Sequence, residues 1–452
     1  MVVYLSRSNR QIFITYWPAR VRIQDVGDHY PGHSRVGESM SDQMESVEDF
    51  RIRARAWLAD NMPKLDPKKE YNTNRVADRE WVEHRELQKK LFAGGFAGLC
   101  FPKEYGGQGL TLAHQLAFTE ESVPYEMPLR LNVPSLSICS GMLLDMGSEE
   151  QKQKYLRGAI SGEIILCQFL SEPSGGSDLA GLLTRAQRDG DTYVINGQKC
   201  WSTYAYAADY ATCLVRTDWD APKHRGLSMI IVPVHDDATH LQRVRMVDGS
   251  DEFCEEYFTD LVVPAANLVG TENDGWTVGQ RQLFYERQAV GGGSPYTSGR
   301  APSRGSSAGL TLENLAREVG KDKDEATREL VGWQNALDTV NHQLIKRITV
   351  GMTSGEYPAM ASSMMRLAHA EIPQNKMDAM LEIAGDEAVT STVEGDGYLR
   401  SVGVQYLMRQ GASLGGGSAE MSKNMISERV LMMPREMAAD RDVPFREIRR
   451  GR

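Results

Sequence analysis

Two short stretches carry side chains suited to gripping a flat, polar ring. The first is Gln168-Phe169-Leu170-Ser171-Glu172-Pro173-Ser174-Gly175-Gly176-Ser177-Asp178. Its small residues let backbone N–H groups come close to a planar or anionic ligand. Taken alone it reads equally well as a long surface turn. The second is Lys199-Cys200-Trp201-Ser202-Thr203. Strand alternation predicts Trp201 and Thr203 on one face. There an indole can cover a heteroaromatic ring while a hydroxyl bonds a ring nitrogen or oxygen. A half-buried tryptophan in a sandwich core is the plainer alternative.

The surrounding pattern says what must position them. From Asp42 to about Gly162 apolar residues recur at helical spacing, as in Phe50, Ala54, Trp57 and Leu58. A loop at 101–109 breaks the run with a proline and three glycines. Near Ile164 the period changes to two. Strands are expected at 183–187, 192–195, 210–215, 228–232 and 242–246, with hairpin turns at Asp189-Gly190 and Asn196-Gly197. After Trp276 the helical period returns, running from Leu312 through Ala336 and from Ile345 to Met380. The expected class is α+β in three segregated parts: an all-α domain over 40–163, a β domain over 164–274 and helices over 275–435. Residues 291–310 read as a flexible loop, 436–452 as a tail and 1–39 as a disordered extension. Arginines at 7, 10, 20 and 22 hint at targeting, but no small-residue cleavage site follows.

Composition narrows the class. With 452 residues and 41% hydrophobic content the chain can bury a large core. A formal charge of −10 argues against general nucleic-acid binding. No apolar run approaches the length of a membrane span. The six cysteines show no CxxC pair and no metal-ligand spacing with histidine, and read as buried thiols in a reducing cytoplasm.

In this order and spacing the two stretches resemble the acyl-CoA dehydrogenase family, whose members carry a Glu-Pro-x-x-Gly-Ser-Asp segment and then Trp-x-Thr/Ser. Pro102 to Gly107, Gly147 to Lys152, and Glu428-Arg429-Val430-Leu431 with Pro434-Arg435-Glu436 extend the likeness over roughly Asp42 to Glu436. The resemblance implies a helical N-terminal domain, a central β-barrel or sandwich domain and a C-terminal four-helix bundle. It also implies FAD between the last two and α,β-dehydrogenation of an acyl-CoA thioester. By residue transfer, Gln168, Leu170, Ser171, Gly176, Ser177, Trp201, Ser202 and Thr203 line the flavin, Ser177 also meets the substrate, and Ser418 and Glu420 contact FAD.

Removing the α-proton needs a carboxylate, and desolvation strengthens one as a base. Where many members of the family place it, in Gly415-Gly416-Gly417-Ser418, this chain has Gly416, whose N–H can still polarise the thioester oxygen. A second branch carries the base just before an arginine on the first helix of the C-terminal domain, which makes Glu286 the catalytic candidate. Gly279, Leu283, Val290 and Gly293 share its helical face. A helix-edge glutamate paired with Arg287 is the plainer reading, and Glu420 is a weaker rival. Neither the Arg-x-x-Phe-Gly nor the Gly-Gly-x-Gly segment of typical homotetramers is present. The likeness to a bacterial branch with mixed tetramers therefore leaves open a homo-oligomer or a heterotetramer with a second subunit. An electron-transferring flavoprotein is the implied oxidant. A non-catalytic subunit and a flavin monooxygenase of the same fold are the alternatives.

Overall fold

The computed structural model describes residues 2–4, 13–15, 44–65, 78–247, 249–290, 294–297, 311–390, 398–438 and 440–448. Met1–Met44 forms a unit by itself. Within it β1 (Val2–Tyr4) pairs antiparallel with β2 (Phe13–Thr15). The remainder of the extension expected over 1–39 lies outside the described residues, as does the loop expected over 291–310 apart from 294–297.

The second unit, Glu45–Arg452, opens on helix α1 (Val47–Asn61). The Ser46 hydroxyl accepts from the Asp49 N–H at 3.1 Å, satisfying an orphan donor of the first turn. Phe50, Ala54 and Leu58 form its buried stripe. Helices α2 (Asp78–Ala93) and α3 (Leu112–Glu121) follow. Next comes one nearly continuous helical rod: α4 (Leu129–Asn132), a π-helical segment Val133–Ser140 and α5 (Gly141–Met146). Ser148 and Gln151 form a reciprocal capping box at α6 (Glu149–Gln151), which leads through a second π-helical segment to α7 (Arg157–Ser161).

An eight-stranded sheet comes next, built from β3 (Leu166–Phe169), β4 (Arg185–Asp189), β5 (Thr192–Thr203), β6 (Tyr210–Arg216), β7 (Leu227–Pro233), β8 (Thr239–Val244), β9 (Phe253–Pro264) and β10 (Leu268–Val269). The order is β10-β7-β6-β4-β5-β9-β8, with β3 pairing parallel to β6. Asp189-Gly190 does turn, joining β4 to β5 with Asp189 opposite Thr192 and Gly190 at φ 57. Asn196-Gly197 does not. It sits inside β5 at a register shift against β9, where the Asn196 amide and the Asp260 backbone and carboxylate exchange hydrogen bonds of 2.9 Å. A Cβ on Gly197 would stand 2.6 Å from the Thr184 Cα, so close backbone approach, rather than a turn, requires that glycine. Strand β9 was not expected, because Glu256 occupies one of its inward positions and interrupts the apolar alternation.

The C-terminal helices are α8 (Gly275–Val290), α9 (Leu312–Glu318), α10 (Glu325–Thr353), α11 (Ser362–Ala384), α12 (Asp386–Thr390), α13 (Tyr398–Met408) and α14 (Ala419–Met425). The two long expected helices are each divided, at Gly320 (φ 68) and at Gly355 (φ 78), where left-handed backbone ends a helix. Helix α11 is the hub, packing on α8, α9, α10, α13 and α14. One core cluster runs from the N-terminal helices through Leu214 and Met229 of the sheet to Val278 and Tyr285 of α8. The N-terminal helices and α8 thereby share one core with the sheet.

Candidate active site

Helix α8 is seated by small residues and anchored by one acid. A Cβ on Gly275 would lie 2.4 Å from the Ser228 Cα on β7, and Gly279 lies beside Leu214 of β6. The Gly141 Cα faces the ring of Tyr285, while the Tyr285 hydroxyl donates to Asp145 at 2.6 Å and Arg281 pairs with the same carboxylate. This docking brings Glu286 to the end of β3, where Gln168 Nε2 donates to Glu286 Oε2 at 3.0 Å. Burial raises the proton affinity of the Glu286 carboxyl, against which the Gln168 hydrogen bond and the charges of Arg287 and Arg366 pull it down. The environment is that of a base kept ionisable but strengthened by desolvation.

Past Gln168 the chain enters the glycine-serine loop, which a buried ion pair fastens to β5. Glu172 accepts from the N–H groups of Leu183 (2.6 Å) and Thr184 (2.8 Å) and from Lys199 Nζ (3.0 Å). Lys199 also donates to the Leu170 carbonyl at 3.1 Å, and the Cys200 N–H donates to the Ser171 carbonyl at 2.9 Å. Burial alone would raise the Glu172 carboxyl, but Lys199 and these donors hold it below its usual range. Glu172 is thus structural. Asp178 pairs with Lys223 at 2.7 Å.

The five-residue stretch on β5 departs from plain alternation. Trp201 lies at a bulge between Cys200 and Ser202 with φ 62, and its indole is 54% exposed, with Phe253 edge-on at 5.8 Å. Thr203 is half-buried. Ser202 turns inward, its Oγ donating to Glu256 Oε2 at 2.8 Å. Its side chain is therefore not available to line a ligand, a correction to the expected role, and only its backbone remains. Leu170 is buried, while Gly176 and Ser177 are exposed. Among the described residues the hydroxyls of Ser171, Ser177 and Thr203 have no hydrogen-bond partner. A large exposed indole, three available hydroxyls and a glycine-rich backbone in one place fit the face and polar edge of an isoalloxazine.

The glycine run is held by α11, the helix that packs on α8. Gly416 (φ 74) and Gly417 (φ 95) take left-handed backbone that a side chain would strain. The Ser418 hydroxyl caps α14 by accepting from the Met421 N–H at 3.2 Å, and Glu420 is exposed in the first turn. Neither Ser418 nor Glu420 makes a contact with the loop or with β5 among the described hydrogen bonds. Arg366 of α11 donates to the carbonyls of Ala412 (2.9 Å), Gly415 (2.5 Å) and Gly416 (3.3 Å). Sequence reasoning missed both Arg366 and Glu256. The available signal was a single charge inside an otherwise apolar periodic run.

Residues 45–163 match the family model for the acyl-CoA dehydrogenase N-terminal domain, and residues 167–261 match that for its middle domain. The acyl-CoA dehydrogenase IpdE1 of Mycobacterium tuberculosis is 31% identical over 396 residues, covering 87% of this chain and 99% of that protein. The chain belongs to the acyl-CoA dehydrogenase family. Among solved structures, the Tcur3481-Tcur3483 steroid ACAD superposes with TM-score 0.70 at 27% identity over 86% of this chain and 98% of that one. The ChsE4-ChsE5 complex of M. tuberculosis does so with TM-score 0.65 at 26% identity over 88% of this chain and all of that one. This acyl-CoA dehydrogenase is accordingly a FAD-dependent enzyme that desaturates acyl-CoA thioesters. Among the described residues no helix is long and apolar enough to cross a membrane, and no cluster of His, Cys, Asp and Glu is arranged to hold a metal.

Proposed function

We propose that Glu286 is the base that removes the α-proton of the acyl-CoA thioester. The observation that carries this reading is the 3.0 Å hydrogen bond from Gln168, which joins the flavin-loop end of β3 to the carboxylate on α8. Bound FAD supplies the acceptor for the β-hydrogen. On the protein side, Gln168 Nε2 fixes one Glu286 oxygen and leaves the other for the α-carbon. Trp201 would cover the ring, Ser171 and Thr203 would bond its polar edge, and Leu170, Gly176 and the Ser202 backbone would complete the wall. In this reading Ser177 and the Gly416 N–H would meet the thioester, where a donor to the carbonyl oxygen stabilises developing enolate charge. Ser418 and Glu420 belong to the same proposal as further FAD contacts, since a capping serine still has its own O–H to donate.

The reading extends to partners. We assign an electron-transferring flavoprotein as oxidant and at least one further acyl-CoA dehydrogenase subunit, a second copy or a different chain, as companion. Structures at 26% and 27% identity are of paired chains by name. Six unpaired cysteines, five of them buried, favour the cytoplasm. Glu286→Gln should keep its FAD and lose turnover by roughly 10²- to 10⁴-fold. An E286Q enzyme as active as the parent would remove the base from this account.

A further inference from the structure

Residues 436–452, expected as a tail, include a segment fastened to the sheet. Over 440–448 the chain lies on the turn between β6 and β7, where Pro444 stands opposite Pro222 in an isolated antiparallel bridge. The Phe445 N–H donates to the Ala221 carbonyl at 3.0 Å and the Arg446 N–H to the Trp219 carbonyl at 3.1 Å. The Arg446 side chain pairs with Asp220 at 2.6 Å. Phe445 is 2% exposed, and its ring centroid lies 3.4 Å from the guanidinium carbon of Arg216, the last residue of β6. Arg216 is fully buried. Its Nη2 donates to the carbonyls of Ala180 (2.7 Å) and Lys223 (3.2 Å), and its Nε donates to that of Leu182 (3.3 Å). Lys223, in the same turn, pairs with Asp178.

We propose that residues 440–448 are a brace that holds the glycine-serine loop in shape for FAD, with Phe445 and Arg216 as positioning residues. The loop is fixed before its glycines by Glu172 on Lys199, and after them by Asp178 on Lys223 and by Arg216 on Ala180 and Leu182. Gly176 and Ser177, between these anchors, are exposed. Glycines have the most conformational freedom to lose, so ordering them before the ligand arrives lowers the cost of binding. The later anchor depends on where the guanidinium sits. A ring over a desolvated guanidinium attracts it and shields its carbonyl bonds from water. Phe445 supplies that ring, and the backbone bonds of 445 and 446 with the Arg446–Asp220 pair keep it there.

The inference rests on the reading that this loop lines FAD, and its test separates the two. FAD-loaded parent, Phe445→Ala, Phe445→Tyr and Gly176→Trp are diluted, and flavin release is followed by the recovery of its fluorescence. F445A should bind FAD about tenfold more weakly, since the loop is then ordered only on binding. F445Y keeps the ring and should retain FAD as the parent does. With FAD in excess the kcat of F445A should return to the parental value, because bound flavin completes the ordering. Parental FAD retention in a folded F445A, or a kcat that stays low under excess FAD, would overturn the inference. If F445A does not fold, the exposed pair serves instead: Asp220→Arg should release FAD faster and D220R/R446D should restore retention. Parental retention in D220R would then overturn it equally. G176W sets a bulky side chain on the loop itself, and undiminished FAD affinity there would strike the underlying reading.

Discussion

Glu256 faces inward from β9, fully buried, with Oε2 on the Ser202 hydroxyl and Oε1 without a partner. Burial pushes its carboxyl up to about 8, and Ser202 and Lys199 offset only part of that. Its folded-state proton affinity therefore exceeds that of the unfolded chain, 4.5. The native state binds more protons between those values, so the stabilisation is complete below pH 4.5 and is lost as pH rises toward 8. The slope is at most about 1.4 kcal/mol per pH unit. Glu256→Gln keeps a partner for Ser202 and removes the titration. Chemical unfolding of parent and E256Q across that window should show the parent losing stability relative to the variant as pH rises. Parallel profiles would place the titration elsewhere. At this scale the sequence was legible where a residue's place follows from a neighbour in the chain, as for Gly190 in the Asp189-Gly190 turn. It was opaque for Ser202, whose partner Glu256 lies on another strand.

At the scale of elements, the position of Glu286 depends on how closely α8 can approach the sheet. Gly275 has no room for a side chain, since its Cβ would meet Ser228 backbone atoms at 2.4 to 2.6 Å and backbone cannot rotate away. Gly275→Ala should lift the start of α8 from β7, cost about 1–3 kcal/mol as an overpacking substitution and lower kcat by tilting Glu286 away from Gln168. Parental melting temperature and rate in G275A would show that the helix tolerates the displacement. Helix periodicity marked α8 and the small face of Glu286, because that stripe is written in consecutive turns. Strand signals did less well. Asn196-Gly197 has the composition of a hairpin, and only its tertiary neighbours, Asp260 and Thr184, show that it is a bulge in a continuous β5. The same holds for Trp201, whose left-handed backbone is imposed by the register shift against β9.

For the molecule as a whole, the order of helices, sheet and helices was readable because each part keeps one period over many residues. What holds the parts together was not, since the contacts that join them, Gln168 to Glu286 and Tyr285 to Asp145, are long-range. The surface carries its own expectation. Leu431, Met432, Met433 and Met437 are 64%, 79%, 53% and 95% exposed on the segment after the last helix, a clustering that a lone soluble chain seldom shows. The proposed companion subunit should give the purified, FAD-bound enzyme a solution mass of at least twice that of one chain. A monomeric FAD-bound enzyme would contradict it.

The account's central claim is that Glu286 takes the α-proton in a FAD-loaded site. It is tested most directly by anaerobic mixing of parent and E286Q with straight-chain, branched and ring-bearing acyl-CoA thioesters while oxidised flavin absorbance is followed. The prediction is that at least one thioester class bleaches the parent, and that the same thioester leaves yellow E286Q unbleached on the same timescale. Equal bleaching of both proteins would contradict the claim.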